Sequence, residues 1–132
     1  MTAGIVLTES LENYLEAIHT LSERQGYARV TDIAAALSFS KPSVNRAIKT
    51  LREHGLLEHE DYGTIRLTAE GDRLAESVIR RHHLLKHFLM DILGVEEGVA
   101  EEEACKLEHA LSYDTTEKLS DYLRTVLADF EH

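Results

Sequence analysis

The chain has 132 residues, 43% of them hydrophobic and 29% charged, with Gly 7, Pro 1 and Cys 1. That size suits one modal domain of ~100 to 150 residues or two small lobes, and it excludes a large multidomain enzyme. Lys+Arg 14 against Asp+Glu 24 give a formal charge of -10, yet residues 1–75 carry 8 basic and 11 acidic groups while residues 76–132 carry 6 and 13, so the acid is concentrated late in the chain and does not by itself exclude nucleic acid.

Leu11, Tyr14, Leu15, Ile18 and Leu21 recur at helical spacing and predict an amphipathic helix from Glu9 to Glu23, stopped before Gly26. Thr31 and Asp32 offer caps for a short helix ending near Leu37, and Ser38 to Ser40 reads as a tight turn. Ser40 then caps a second helix with Pro42 in its first turn, an inward stripe of Val44, Ile48 and Leu51, and a stop at Gly55. Two short helices joined this closely make a helix-turn-helix. Leu56 to His59 and Thr64 to Leu67 flank Glu60, Asp61, Tyr62 and Gly63 and predict a β-hairpin wing. Thr68 caps a long helix to about Leu93, with Leu74, Val78, Leu85, Phe88 and Ile92 on one face and Gly94 as breaker. Two more helices are expected, about Gly98 to Leu111 and Thr115 to Phe130. The last has a wide stripe of Leu119, Tyr122, Leu123, Val126, Leu127 and Phe130, suited to core packing, to a subunit interface, or to both.

The expected fold class is mainly α, with an N-terminal winged helix-turn-helix over residues 1–71 and an α-helical lobe over residues 72–132. In a helix-turn-helix the second helix enters the major groove. Here Ser40, Lys41, Pro42, Ser43, Asn45, Arg46 and Lys49 occupy its first turns, and from Lys41 to Arg52 there are four basic residues and no acidic one. The wing adds Arg66. These are the candidate DNA-binding residues, and because one helix reads only a short half-site, a homodimer on double-stranded palindromic operator DNA is the natural extension.

Cys105, Glu108 and His109 stand at i, i+3 and i+4, spacings that bring side chains onto one helix face. A thiolate, a carboxylate and an imidazole suit a borderline divalent transition metal rather than calcium or magnesium. On a regular helix the trio centres roughly 120° from the apolar stripe of Ala100, Ala104, Leu107 and Leu111, so it is not simply core. His82, at the edge of the apolar face of the long helix, is a better fourth candidate than His83 or His87. Asn13 and Glu16 share the polar face of the first helix and taken alone read as solvated residues.

SLENYLE (10–16), YARVTDIAAAL (27–37), SKPSVNRAIKTL (40–51), LTAEG (67–71), RRHHLL (80–85) and ACKLEHALS (104–112) resemble the metal-dependent repressors typified by the diphtheria toxin repressor and the manganese transport regulator, a resemblance that makes residues 72–132 a metal-binding and dimerisation lobe. The resemblance covers nearly the whole chain. It implies a DNA-binding dimer loaded with iron(II) or manganese(II) that represses metal-uptake genes. It also implies metal ligands at Cys105, Glu108, His109, His82, Glu16 and Asn13, and a length like that of the shorter members, which lack an SH3-like domain. Three positions depart from the family pattern. Asn13 stands where a carboxylate or Met is usual, Cys105 where the manganese regulators carry Glu, and Lys86 where the iron-dependent type has an acidic ancillary ligand. A thiolate favours softer metals, so iron(II) is expected ahead of manganese(II), with zinc(II), cobalt(II) or nickel(II) able to bind in vitro.

The resemblance also implies a mechanism, in which metal joining the first, fourth and fifth helices orders the dimer for operator binding. The rival is a redox switch at Cys105. A metallohydrolase is disfavoured because no nucleophile motif, Gly-rich loop or HExxH accompanies the ligands, so neither an enzyme nor a small-molecule substrate is expected. No apolar run approaches the ~18 residues of a membrane helix, residues 1–10 lack Lys and Arg, and a lone Cys suits a reducing compartment. A cytoplasmic protein without membrane partners is the expectation.

Overall fold

Thr8 opens the first helix: its Oγ1 accepts from the Leu11 amide at 3.1 Å, and α1 then runs Glu9–Gln25 until Gly26 turns the chain away at φ 87°. The computed structural model describes residues 7–60 and 63–127. Further elements follow as β1 (Ala28–Arg29), α2 (Val30–Leu37), α3 (Lys41–Glu53), β2 (Leu57–His59), β3 (Thr64–Leu67), α4 (Ala69–His87), a π-turn over Phe88–Ile92, α5 (Glu97–Leu107) and α6 (Tyr113–Val126). They divide into two compact units, Met1–Glu76 and Ser77–His132. Among the described residues no helix is long and apolar enough to cross a membrane.

The first unit is a winged helix. α2 and α3 are linked through Ser38, at φ 60°, and Ser40, whose side chain caps α3 by accepting from the Ser43 amide at 3.3 Å. The three strands lie in the order β1-β3-β2, all antiparallel, with Ala28 opposite Ile65 and Glu58 opposite Arg66. Leu15 and Ile18 of α1, Ile33 of α2, Val44, Ile48 and Leu51 of α3, and Leu56, Leu57 and Ile65 of the wing form one core. Each such burial contributes ~1.5 to 3 kcal/mol.

α4 begins on this unit. Thr68 accepts from the Gly71 amide at 3.1 Å and donates to the Gly55 carbonyl at 2.7 Å. Gly71 is required for close approach, since a Cβ there would lie 1.9 Å from the Leu56 carbonyl oxygen. In the second unit Leu85 and Leu89 pack with Ala100 and Ala104 of α5, flanked by Leu111 and Leu119.

Several expectations need correction. Thr31 and Asp32 do not cap α2: pairing with β3 holds the backbone extended through Arg29 (φ -131°, ψ 160°), so the helix starts at Val30 and both fall in its first turn. The long helix does not remain α-helical to Leu93; it opens into the π-turn, where the Leu93 amide reaches back to the Phe88 carbonyl at 3.2 Å. Leu89 is buried in this segment, whereas Phe88 and Ile92 are half-buried. α5 ends at Leu107 rather than Leu111, which leaves Leu107 exposed and puts Glu108 at the C-cap. α6 starts at Tyr113, two residues before Thr115, because Ser112 caps it by accepting from the Thr115 amide at 3.1 Å. Asp61, Tyr62 and Phe130 lie outside the described residues.

Candidate nucleic-acid interface and metal centre

Burial of Val44, Ala47, Ile48 and Leu51 turns the opposite side of α3 to solvent, and with it Lys41, Pro42, Asn45, Arg46 and Lys49. Ser40 and Ser43 sit at its N-terminus, their hydroxyls 2.9 Å apart, and the Arg46 guanidinium donates to the Ser43 Oγ at 3.2 Å. Arg66 on β3 is exposed and paired with two wing carboxylates, Glu58 at 2.7 Å and Glu60 at 3.1 Å. Any phosphate it meets must displace those acids. Arg29, missed in the sequence reading, stacks its guanidinium 4.9 Å from the Tyr27 ring centroid at the edge of the same sheet.

In the second unit the candidate metal ligands gather. His82 on α4 lies with Nδ1 2.7 Å from Glu108 Oε1 and Nε2 3.0 Å from Glu101 Oε2. Cys105 Sγ is 3.9 Å from Glu101, and the His109 Nε2 is 3.6 Å from Glu108 Oε2. His82, Glu101 and Cys105 each place one ligand atom within 4.8 Å of the other two. Glu108 is 1% exposed, so its carboxyl oxygens are withdrawn from water and need a cation or hydrogen bonds beside them. Here a proton on His82 supplies that charge: the hydrogen bond to Glu108, opposed by burial and helped by Glu101, raises the imidazole to about 9. An imidazole, a thiol and three carboxylate or imidazole neighbours at these separations fit a borderline transition ion, which would take the place of that proton.

Glu101 was not among the sequence candidates. Its signal was present at i-4 from Cys105, hidden in the acidic run Glu101 to Glu103. Lys86 holds it, with Nζ 3.1 Å from Glu101 and 3.6 Å from Glu97; this pair, followed by His82, lowers the Glu101 carboxyl, and the same pair raises Lys86. Asn13 and Glu16 belong to the first unit, half-buried on α1, where they line a cleft of about 230 Å³ with residues of α2.

Parts for reading a groove and parts for holding an ion in one short chain define a metal-dependent transcriptional regulator. The chain belongs to the iron dependent repressor family: residues 6–65 match its N-terminal DNA binding domain and residues 68–130 its metal binding and dimerisation domain. The family consists of transcriptional repressors, not enzymes. The HTH-type transcriptional regulator MntR of Lysinibacillus sphaericus (strain C3-41) is 35% identical over 119 residues, which cover 90% of this chain and 85% of that protein. Among solved structures, the manganese regulator SloR is 35% identical with a TM-score of 0.77, over 89% of this chain and 55% of that one. A manganese-dependent transcriptional repressor in complex with manganese is 32% identical with a TM-score of 0.79, over 86% and 52%. The chain therefore spans about half the length of these solved relatives.

Proposed function

We propose that this chain is a metal-activated repressor of metal-uptake genes, a cytoplasmic homodimer that binds palindromic operator DNA when loaded with iron(II) or, second, manganese(II). The observation that carries the reading is the buried Glu108 carboxylate joined to His82, beside the Cys105 thiol and His109. His82, Cys105, Glu108 and His109 would hold the ion, with Asn13 and Glu16 as further ligands on the family resemblance. When bound, the ion supplies fixed positive charge among carboxylates. The chain's own part is to keep His82 oriented through Glu108 and, through α3, to offer Ser40, Lys41, Pro42, Ser43, Asn45, Arg46 and Lys49 to DNA, with Arg66 from the wing. The preference for iron(II) follows from the thiolate among the donors. Homodimer formation has its surface on α6, where Tyr113, Tyr122 and Val126 are exposed while Leu123 is fully buried.

The test is an anaerobic titration of iron(II), manganese(II) and zinc(II) into apo-protein, following thermal stability, dimer size and affinity for operator DNA. Metal-induced stabilisation and tighter DNA binding, both abolished by His109→Ala, are expected. A DNA affinity unchanged by all three metals overturns the reading. A second reading uses the exposed Cys105 thiol as a redox switch. Cys105→Ser separates the two: a weakened metal response supports the ligand role, and loss of peroxide sensitivity with an intact metal response supports the switch.

A further inference from the structure

We propose a second transition-metal site, inside the DNA-binding unit and made of His19 on α1 with Asp72 and Glu76 on α4. One ligand atom from each residue lies within 4.8 Å of the other two. The His19 Nδ1 is 2.7 Å from Asp72 Oδ1, which fixes the ring, and the His19 side chain is only 13% exposed. Asp72 and Glu76 are spaced i, i+4 on one helix face, where two carboxylates repel. The nearest arginine of α4, Arg73, is turned to Glu70, its Nε 3.2 Å from Glu70 Oε1. A divalent cation among the three groups would relieve that repulsion and would tie α1 to the first turns of α4.

The donor chemistry selects the class of ion. One imidazole with two carboxylates suits manganese(II), iron(II), cobalt(II) or zinc(II), whereas calcium and magnesium take oxygen ligands. A cleft of about 260 Å³, lined by His19, Asp72, Thr68 and Arg66, leaves room beside the cluster for water to complete the coordination. No sulfur is involved, which distinguishes this cluster spectroscopically from the one containing Cys105. The inference does not depend on the proposed regulatory role of His82 and Cys105.

The experiment is an anaerobic titration of cobalt(II) chloride into the full chain, read by absorption. Cobalt at Cys105 gives a thiolate-to-metal charge-transfer band, and cobalt at His19, Asp72 and Glu76 gives only the weak ligand-field bands of nitrogen and oxygen donors. Asp72→Asn and Glu76→Gln, both at solvent-accessible positions, are each expected to lose about one equivalent of bound cobalt and the corresponding ligand-field component while keeping the charge-transfer band. Cys105→Ser is expected to do the reverse. Far-UV circular dichroism of each apo-variant checks the fold. Cobalt uptake by both carboxylate variants equal to that of the parent overturns the site, whereas absence of the charge-transfer band alone counts against the Cys105 reading and leaves this one standing.

Discussion

His82 is the residue whose chemistry changes most between chain and fold. In the unfolded chain it titrates near 6.5; against Glu108 and Glu101 it holds its proton to about 9. A group raised in the folded state contributes stability that is fully present below its unfolded value and is lost as pH rises through its folded value. The metal-free protein should therefore lose thermal stability between pH 6.5 and 9, by about 1 to 2 kcal/mol after allowance for solvent screening, and His82→Gln should flatten that slope. Melting curves across this window check it, and a parent profile as flat as the variant's contradicts the pairing. Because metal must displace the same proton, apparent metal affinity should climb over the same interval. At this scale Cys105, Glu108 and His109 could be named as candidates because their spacing is local. Glu101 could not, since an acidic run reads as solvated surface until Lys86 and His82 arrive from α4. The His19 and Asp72 pair, 53 residues apart, leaves no local signature at all.

Among the elements, caps carried much of the readable information. Thr68 and Ser40 were found from sequence because each hydroxyl stands before an apolar periodic run, and both do cap helices. β1 was missed, for two residues give no alternation to detect and its strand character comes from β3. The π-turn was missed for a related reason, as an extra residue in a helix leaves composition and average period unchanged. The start of α4 carries the clearest mechanical consequence. Gly71 presses on the Leu56 carbonyl, which also accepts from the Thr68 amide at 3.0 Å. Gly71→Ala should cost about 1 to 3 kcal/mol or more by overpacking, although alanine is the better helix former. Chemical denaturation measures it; a stabilised Gly71→Ala protein would show that α4 does not dock this closely.

For the whole molecule, the formal charge of -10 conceals an acid-free stretch of α3 from Lys41 to Arg52. DNA affinity should therefore fall steeply with salt despite the acidic total, because phosphate neutralisation is local. Arg46→Ala and Lys49→Ala should each lower the slope of log affinity against log salt by about 1 if the residue meets a phosphate. Anisotropy titrations of a labelled duplex at several salt concentrations measure this, and unchanged slopes in both variants would remove α3 from the groove. The π-turn at Phe88–Ile92 also bears on the chain as a polymer of fixed length. It stores one residue beyond what a regular helix needs, between the part of α4 that carries His82 and the Gly94 turn into α5. That surplus makes the segment a length buffer, where a single-residue deletion can be absorbed by reverting to an α-turn, whereas a deletion elsewhere in α4 would rotate every following side chain by about 100°.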